Sequence, residues 1–278
     1  MTIRVLVNVG CGLVFHPAWT NLDLVPSDPL VQRCDILGPL PFSDNTADVC
    51  YSSHVLEHLR KDEADHFIAE QYRILKQGGI IRVAVPDLEG ICVNYLTQLS
   101  KLVSGEERNP FCYDYTVLEL FDQVTRESSG GELYAFIKNL PNLDAKQREF
   151  LNSRLRLTAL DNHSSEKSGV VVHSLWMRCL AKWQRLRYGF AEMVVRCCLG
   201  DKAARSLRRG LFRDSGEVHH LMYDRYSLYR LLASHGFREI RAQDANASVI
   251  PDFPIYSLEI VNAVSRKPDS LYMEAVKP

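Results

Sequence analysis

The sequence predicts a parallel α/β sheet with a mostly helical insertion. Three observations predict it. Short β-branched runs in residues 1–90 end in small or acidic residues, loops or a helix-period segment alternate with them, and the same character returns over 215–278. Between these parts, residues 91–214 read as helices joined by breakers, so the core is expected at 1–90 and 215–278 and the insertion or cap at 91–214.

The elements follow in order. "IRVLVNV" (3–9) is a buried parallel strand running into Gly10-Cys11-Gly12, and it reads as a strand rather than a signal peptide. "TNLDL" is a second strand with Asp23 near its end, and "QRCDIL" (32–37) a third bearing Asp35. "DVCYS" (48–52) is the fourth. Residues 63–76 carry apolar positions at 64, 67, 68, 72 and 75, a helical period that Gly78-Gly79 would stop. "IIRVAVPD" follows as another buried strand, and "GFREIR" and "SLYMEAVK" supply the last two.

Ligands in such sheets bind at the carboxyl ends of the strands. Gly10, Gly12, Asp23, Asp35 and Ser52 to His54 all fall at that edge. Glycines there let backbone N–H groups approach a ligand closely. An acidic residue ending the second strand suits a ribose hydroxyl pair. A lone Asp is as often a turn or helix cap; several at one edge favour a site.

Taken together, "VNVGCG", "WTNLDL", "CDIL", "LPFSDNTADVCYSSHVLEHL" and "LKQGGIIRVAVPDLE" resemble class I S-adenosylmethionine-dependent methyltransferases of the type 11 kind, and more closely a bacterial group associated with surface polysaccharides. The resemblance spans about residues 3–90 and returns near 217–278. It implies a Rossmann-like, mostly parallel sheet of seven strands whose last strand is antiparallel. It implies S-adenosyl-L-methionine as cofactor. Gly10, Cys11 and Gly12 would line its methionine part, with Asn8 before them. Asp23 with Leu24 would hold the ribose, Asp35 with Ile36 would approach the adenine, and Ser53 and His54 would stand beside the methyl group. Two departures stand out: Leu13 lies near the place of a frequent third glycine, and the offset of eleven from Gly12 to Asp23 barely fits the usual helix.

"HVLEH" (54–58) also matches H-x-x-E-H, the zinc motif of inverzincin peptidases. On a helix His54 and His58 would share one face. The string follows a strand at a nucleotide-like edge, however, and the sequence offers no third ligand, so no metal is expected. Glu57 and His58 read as exposed or capping groups. His54 is the candidate catalytic residue, an imidazole able to take a proton from an acceptor hydroxyl or amine.

In the insertion, "ICVNYLTQLSKLVSG", the stretches flanking "SSGG" and "DAKQREFLNSRLRLTALD" read as helices, the last with Asp144 as N-cap; "NHSSEKSG" is a loop. The insertion is expected to form the acceptor pocket. Residues 176–213 hold ten basic and two acidic residues, a local charge of +8 in a chain of net charge −1. A basic amphipathic helix there could lie on an anionic membrane or grip a phosphate-bearing substrate; the plainer reading docks it on the acidic remainder with Trp176 and Trp183 in the core. Tyr113, Tyr115, Tyr134 and Tyr223 suit an acceptor pocket or packing equally. His219 and His220 precede the returning core and are placed near the site.

The eight cysteines form no C-x-x-C pair and suit buried thiols in a reducing, cytoplasmic setting, Cys197 and Cys198 included. A run of apolar residues long enough for a membrane span is absent from the sequence. The leading expectation is a methyltransferase acting on a small-molecule or glycan acceptor, a lipid- or nucleotide-linked sugar among them, with nucleic acid disfavoured. The alternative is a non-catalytic module of the same fold that holds a partner through the insertion. A nicotinamide enzyme would need G-x-G-x-x-G, which is missing.

Overall fold

The computed structural model describes residues 4–140, 143–155 and 175–278, with the backbone alone for 175–186. The expected loop at 162–169 and the reading of Trp176, Cys179 and Trp183 lie outside the described residues or side chains.

Nine strands are described: β1 (Leu6–Val9), β2 (Thr20–Asp23), β3 (Val31–Arg33), β4 (Ala47–Ser53), β5 (Leu75–Pro86), β6 (Arg238–Gln243), β7 (Ile260–Val261), β8 (Val264–Ser265) and β9 (Ser270–Val276). Seven of them form one sheet in the order β3-β2-β1-β4-β5-β9-β6, and β7 and β8 pair separately. β3, β2, β1, β4 and β5 are mutually parallel; β9 runs antiparallel between β5 and β6, with Val83 opposite Met273. The mostly parallel seven-stranded sheet with a reversed last strand is thus present.

The two faces of the sheet are covered differently. One face carries α1 (Lys61–Ile74), with Phe67 and Ile68 fully buried, and a C-terminal helix that supplies Leu228 and Leu232 to the same core. The chain between β1 and β2 makes turns rather than a helix, in keeping with its ten-residue length. The face left bare is filled by Trp19 and Tyr51 against Phe253 of a 3-10 turn, Phe253–Tyr256, in edge-to-face contacts of 5.5–6.2 Å. An aromatic plug here substitutes for a helix.

Two boundaries differ from expectation. β3 ends at Arg33, and Asp35 sits beyond it in a turn where it accepts from Leu37 N at 3.0 Å and from Gly38 N at 3.1 Å. α1 ends at Ile74, not at Gly78-Gly79, and the chain enters β5 at Leu75, which pairs with Ala47. The cap comes from across the sheet. Lys277 Nζ donates to Tyr72 O at 2.7 Å and Leu75 O at 2.8 Å, placing a cation on the exposed carbonyls of the helix C-terminus.

The segment expected as an insertion contains α2 (Leu88–Val103), α3 (Phe111–Thr125), α4 (Gly131–Lys138), α5 (Ala145–Leu155) and α6 (Leu175–Arg213), and α7 (Arg225–Ser234) follows it. α3, α4 and α5 build a small core of their own around Tyr115, Leu133 and Leu151. Asp144 caps α5 by accepting from Gln147 N at 2.8 Å. α6 is broken at Gly200, whose φ is 83°. Among the described residues no helix is long and apolar enough to cross a membrane.

Candidate functional site

The carboxyl edge of β1, β2 and β4 carries two adjoining cavities. The larger, about 730 Å³, is lined by Gly10, Gly12, Asp23, Leu24, Asp35, Ile36 and His54, with His58, Arg60 and Arg213 to Gly216 closing it. The smaller, about 380 Å³, is lined by Asn8, Cys11, Ser53, Tyr51, Lys267 and Tyr272 among others, and also by Gly10, Gly12 and His54. Every residue expected to hold the cofactor therefore lines one cavity or the other, and Gly10, Gly12 and His54 line both.

The glycine turn is built for close approach. Gly10 and Gly12 sit at φ 70° and 54°, in the left-handed region that favours glycine. A Cβ on Gly10 would lie 2.5 Å from Val55 Cγ2, whereas one on Gly12 would meet only open space. Gly10 N and Cys11 N both donate to Leu22 O, and Gly12 N donates to Asp23 Oδ2 at 2.8 Å. Asp23 Oδ1 accepts from Val25 N at 2.9 Å. Each carboxylate oxygen keeps a lone pair for a ligand hydroxyl. Asn8 is spent on structure: its amide donates to Val14 O at 3.1 Å and Asn21 Oδ1 at 3.2 Å. Burial and the nearby Asp23 push the Cys11 thiol up to about 12, so it stays a neutral wall.

"HVLEH" is no α-helix. His54 has φ 54°, an uncommon left-handed conformation for a residue with a side chain, and Leu56–His58 form a 3-10 turn. His54 N still donates to Ala84 O at 2.9 Å, so the strained residue is fastened to the sheet. Its Nε2 lies 2.8 Å from Ser270 Oγ and its Nδ1 lies 3.1 Å from Glu57 Oε1.

Glu57 corrects the sequence reading. Expected as an exposed or capping group, it is completely buried. The tight turn puts it at the centre of His54, His58 and His219, and neither of its oxygens makes a well-formed hydrogen bond. Burial pushes its carboxyl up, but contact with His54 and the fields of His54, His58 and His219 outweigh burial, and the net shift is downward. Desolvation lowers His58 and pushes His219 down to about 3, so both imidazoles are neutral near pH 7. His219, brought in by the chain after the insertion, packs edge-on against His58 at 4.7 Å, and His220 lines the larger cavity.

Of the insertion's described residues only Arg213 and Asp214 reach either cavity; the smaller one is closed instead by the segment Leu258–Tyr272. Tyr115 is buried in the insertion's own core, Tyr113 stacks on Tyr95 at 5.8 Å, and Tyr134 is exposed. Cys197 and Cys198 are exposed, not packed, because α6 presents that turn to solvent. Lys267 and Tyr272 of the smaller cavity lie where the resemblance returns, near 217–278, but no sequence signal singled them out as site residues.

The methyltransferase-domain family model matches residues 8–83, which hold the glycine turn, both aspartates and the His54 turn. No curated protein matches the chain. Among solved structures the chain is similar to the YcgJ protein of Bacillus subtilis, at 18% identity and TM-score 0.27 over 36% of this chain, and it spans about half, 52%, of that chain. It is similar to an S-adenosylmethionine-dependent methyltransferase of Archaeoglobus fulgidus, at 10% identity and TM-score 0.38 over 99% of this chain and 86% of that one. It is also similar to a possible histamine N-methyltransferase of Thermotoga maritima, at 11% identity and TM-score 0.37 over 99% and 82%.

Proposed function

We propose that this protein is an S-adenosylmethionine-dependent methyltransferase whose larger cavity takes the cofactor and whose smaller cavity takes the acceptor. The observation that carries this reading is that Gly10, Gly12 and His54 form the seam between the two cavities. The residues fit the cofactor. The open space over Gly12 admits a ligand chain against the backbone, Asp23 offers lone pairs to a ribose diol, and Asp35 and Ile36 stand where a base would lie.

Bound there, S-adenosylmethionine supplies an activated methyl group on a sulfonium. The chain has then to align an acceptor and remove one proton. His54 stands at the seam, 2.8 Å from Ser270 Oγ, and takes the acceptor proton on Nε2 once the acceptor displaces that contact. Glu57 holds Nδ1 at 3.1 Å and so orients the ring. Glu57 is thus a positioning residue.

The acceptor is a small molecule or glycan, and a sugar carrying a phosphate, lipid- or nucleotide-linked, suits the smaller cavity because Lys267 lines it. α6 supports a peripheral contact with anionic lipid: Phe190, Met193 and Val194 are exposed on a helix rich in arginine. Part of that charge is already paired, Arg209 with Glu127 at 2.8 Å and Arg196 with Glu192 at 2.8 Å. Sedimentation with phosphatidylserine vesicles, parent against Phe190→Ser, tests the contact. The reduced, buried thiols of Cys11, Cys34, Cys50 and Cys112 support a cytoplasmic setting.

The deciding experiment is calorimetric titration with S-adenosylhomocysteine. The parent is expected to bind at micromolar affinity, and Asp23→Ala to bind about 10–100-fold more weakly, the value of a lost charge-assisted hydrogen bond. Absence of binding by the parent would turn the reading toward a non-catalytic module that holds a partner.

A further inference from the structure

We propose that Glu57, His58 and His219 bind one zinc ion. One ligand atom from each of these residues lies within 4.8 Å of the others. Two neutral imidazoles and a carboxylate are a donor set suited to Zn²⁺, and three protein donors leave a fourth position for water or another ligand atom.

Several features of the cluster point to an ion rather than to packing. Glu57 is completely buried; Oε1 faces His54 Nδ1 at 3.1 Å without a well-formed hydrogen bond, and Oε2 has no hydrogen-bond partner. His219 is buried too, with Nδ1 unpartnered. Bare polar atoms at this depth are costly, and a dication would satisfy them together. His58 is already oriented: its Nδ1 faces Val218 O at 3.4 Å, so the proton sits there and Nε2 turns its lone pair toward Glu57 Oε1, 4.0 Å away. A zinc-binding histidine ordinarily gives its second nitrogen to a backbone carbonyl in this way.

The two segments are also locked in register by backbone. His220 N and Leu221 N both donate to Glu57 O, at 2.8 and 3.2 Å. Donors around tetrahedral zinc lie about 3.4 Å apart, given bonds of about 2.1 Å. Side-chain rotation of about 1 Å therefore completes the site without moving the chain. The neighbouring guanidinium of Arg126 is held by Asp122 at 3.1 Å.

The motif at 54–58 thus yields a site that differs from the peptidase pattern. His54 gives Nε2 to Ser270 and stands beside Glu57 through Nδ1 at 3.1 Å, and the third donor comes from His219, on the far side of the insertion.

The test uses the full chain stripped with EDTA and titrated with ZnCl₂ by calorimetry, and with CoCl₂ by visible absorption. The expected result is one ion per chain, with a tetrahedral cobalt spectrum free of thiolate charge transfer. His219→Gln, which keeps most of the volume, and His58→Ala are each expected to weaken zinc at least as much as loss of an outer-shell partner does, roughly 10–100-fold. The exposed pair Cys197→Ser/Cys198→Ser is expected to bind as the parent does. Circular dichroism of each variant separates loss of a ligand from loss of fold. Failure of the parent to bind zinc, equal affinity in His219→Gln and His58→Ala, or loss only in the cysteine variant would each overturn the proposal. S-adenosylhomocysteine titration of the same samples reads the cofactor separately, so the two proposals fail independently.

Discussion

His54 and Glu57 form a strained pair: Nδ1 of the partly exposed His54 lies 3.1 Å from Oε1, the carboxylate has no exposed surface, and His54 holds a φ of 54°. The pair fixes which nitrogen faces the cavities. Replacing His54 with Ala is expected to lower turnover by about 10²–10⁴-fold, the usual worth of a positioned proton acceptor, with S-adenosylhomocysteine affinity unchanged. Glu57→Gln keeps the volume but not the charge. It is expected to lower kcat while the acceptor KM holds, a split that loss of packing alone would not give. Single-turnover methyl transfer with a saturating cofactor reads both variants.

Gly10 leaves no room for a side chain at the seam. An added methyl group would meet Val55 Cγ2 at 2.5 Å and would force a side chain into φ 70°. Gly10→Ala is therefore expected to cost about 1–3 kcal/mol of stability, from strain and overpacking together. Chemical denaturation measures it. Gly12→Ala has the strain without the clash, so it is expected to unfold later than Gly10→Ala yet to bind S-adenosylhomocysteine poorly, because its methyl group fills the open space over the turn.

The strand-end residues were legible in the sequence because parallel strands are continuous apolar runs and their ends are marked by Gly10, Asp23 and His54. Three things were not legible. α1 stops at Ile74 because Lys277, at the other end of the chain, caps it, and no local signal encodes that. Glu57 looked like a surface residue because a Glu between apolar neighbours usually is one; the left-handed turn at His54 buries it, and a backbone torsion cannot be read from side-chain pattern. The wall of the smaller cavity comes from Leu258 to Tyr272, which reaches the site only because β9 folds back between β5 and β6.

Glu70 predicts part of the acid stability. Its carboxylate accepts from Arg73 Nη2 at 2.8 Å and from Leu40 N at 2.7 Å, and the Arg73 contact, helped by the Leu40 N–H, holds it below the usual range. A carboxyl lowered by folding stabilises the protein above its unfolded value near 4.5, and that stability is lost as pH falls through the folded value. Glu70→Gln is therefore expected to cost about 1–3 kcal/mol at pH 7 and progressively less below pH 4.5. Urea midpoints for both proteins should converge as the pH is lowered; a constant gap would assign the cost to packing.

Arg82 joins the fold to the wall of the smaller cavity, the proposed acceptor site. It is fully buried on β5, donates from Nε to Glu259 at 3.0 Å and from Nη1 to Glu274 at 2.7 Å, and Phe253 and Tyr272 flank its guanidinium at 4.8 and 5.2 Å. Its Nη groups also reach Asp244 O and Ala247 O, so one side chain pins residues 244–259 to the sheet. Arg82→Met leaves two carboxylates buried without their cation and is expected to cost about 3–5 kcal/mol, the cost of breaking such a network from one side. Adding Glu259→Gln and Glu274→Gln removes the stranded charge and should restore most of the loss. Glu259 and Tyr272 line the smaller cavity while the larger one contains neither. The triple variant is therefore expected to bind S-adenosylhomocysteine as the parent does and to lose acceptor affinity. Equal loss of both ligands would mean that Arg82 supports the whole sheet edge rather than the acceptor wall.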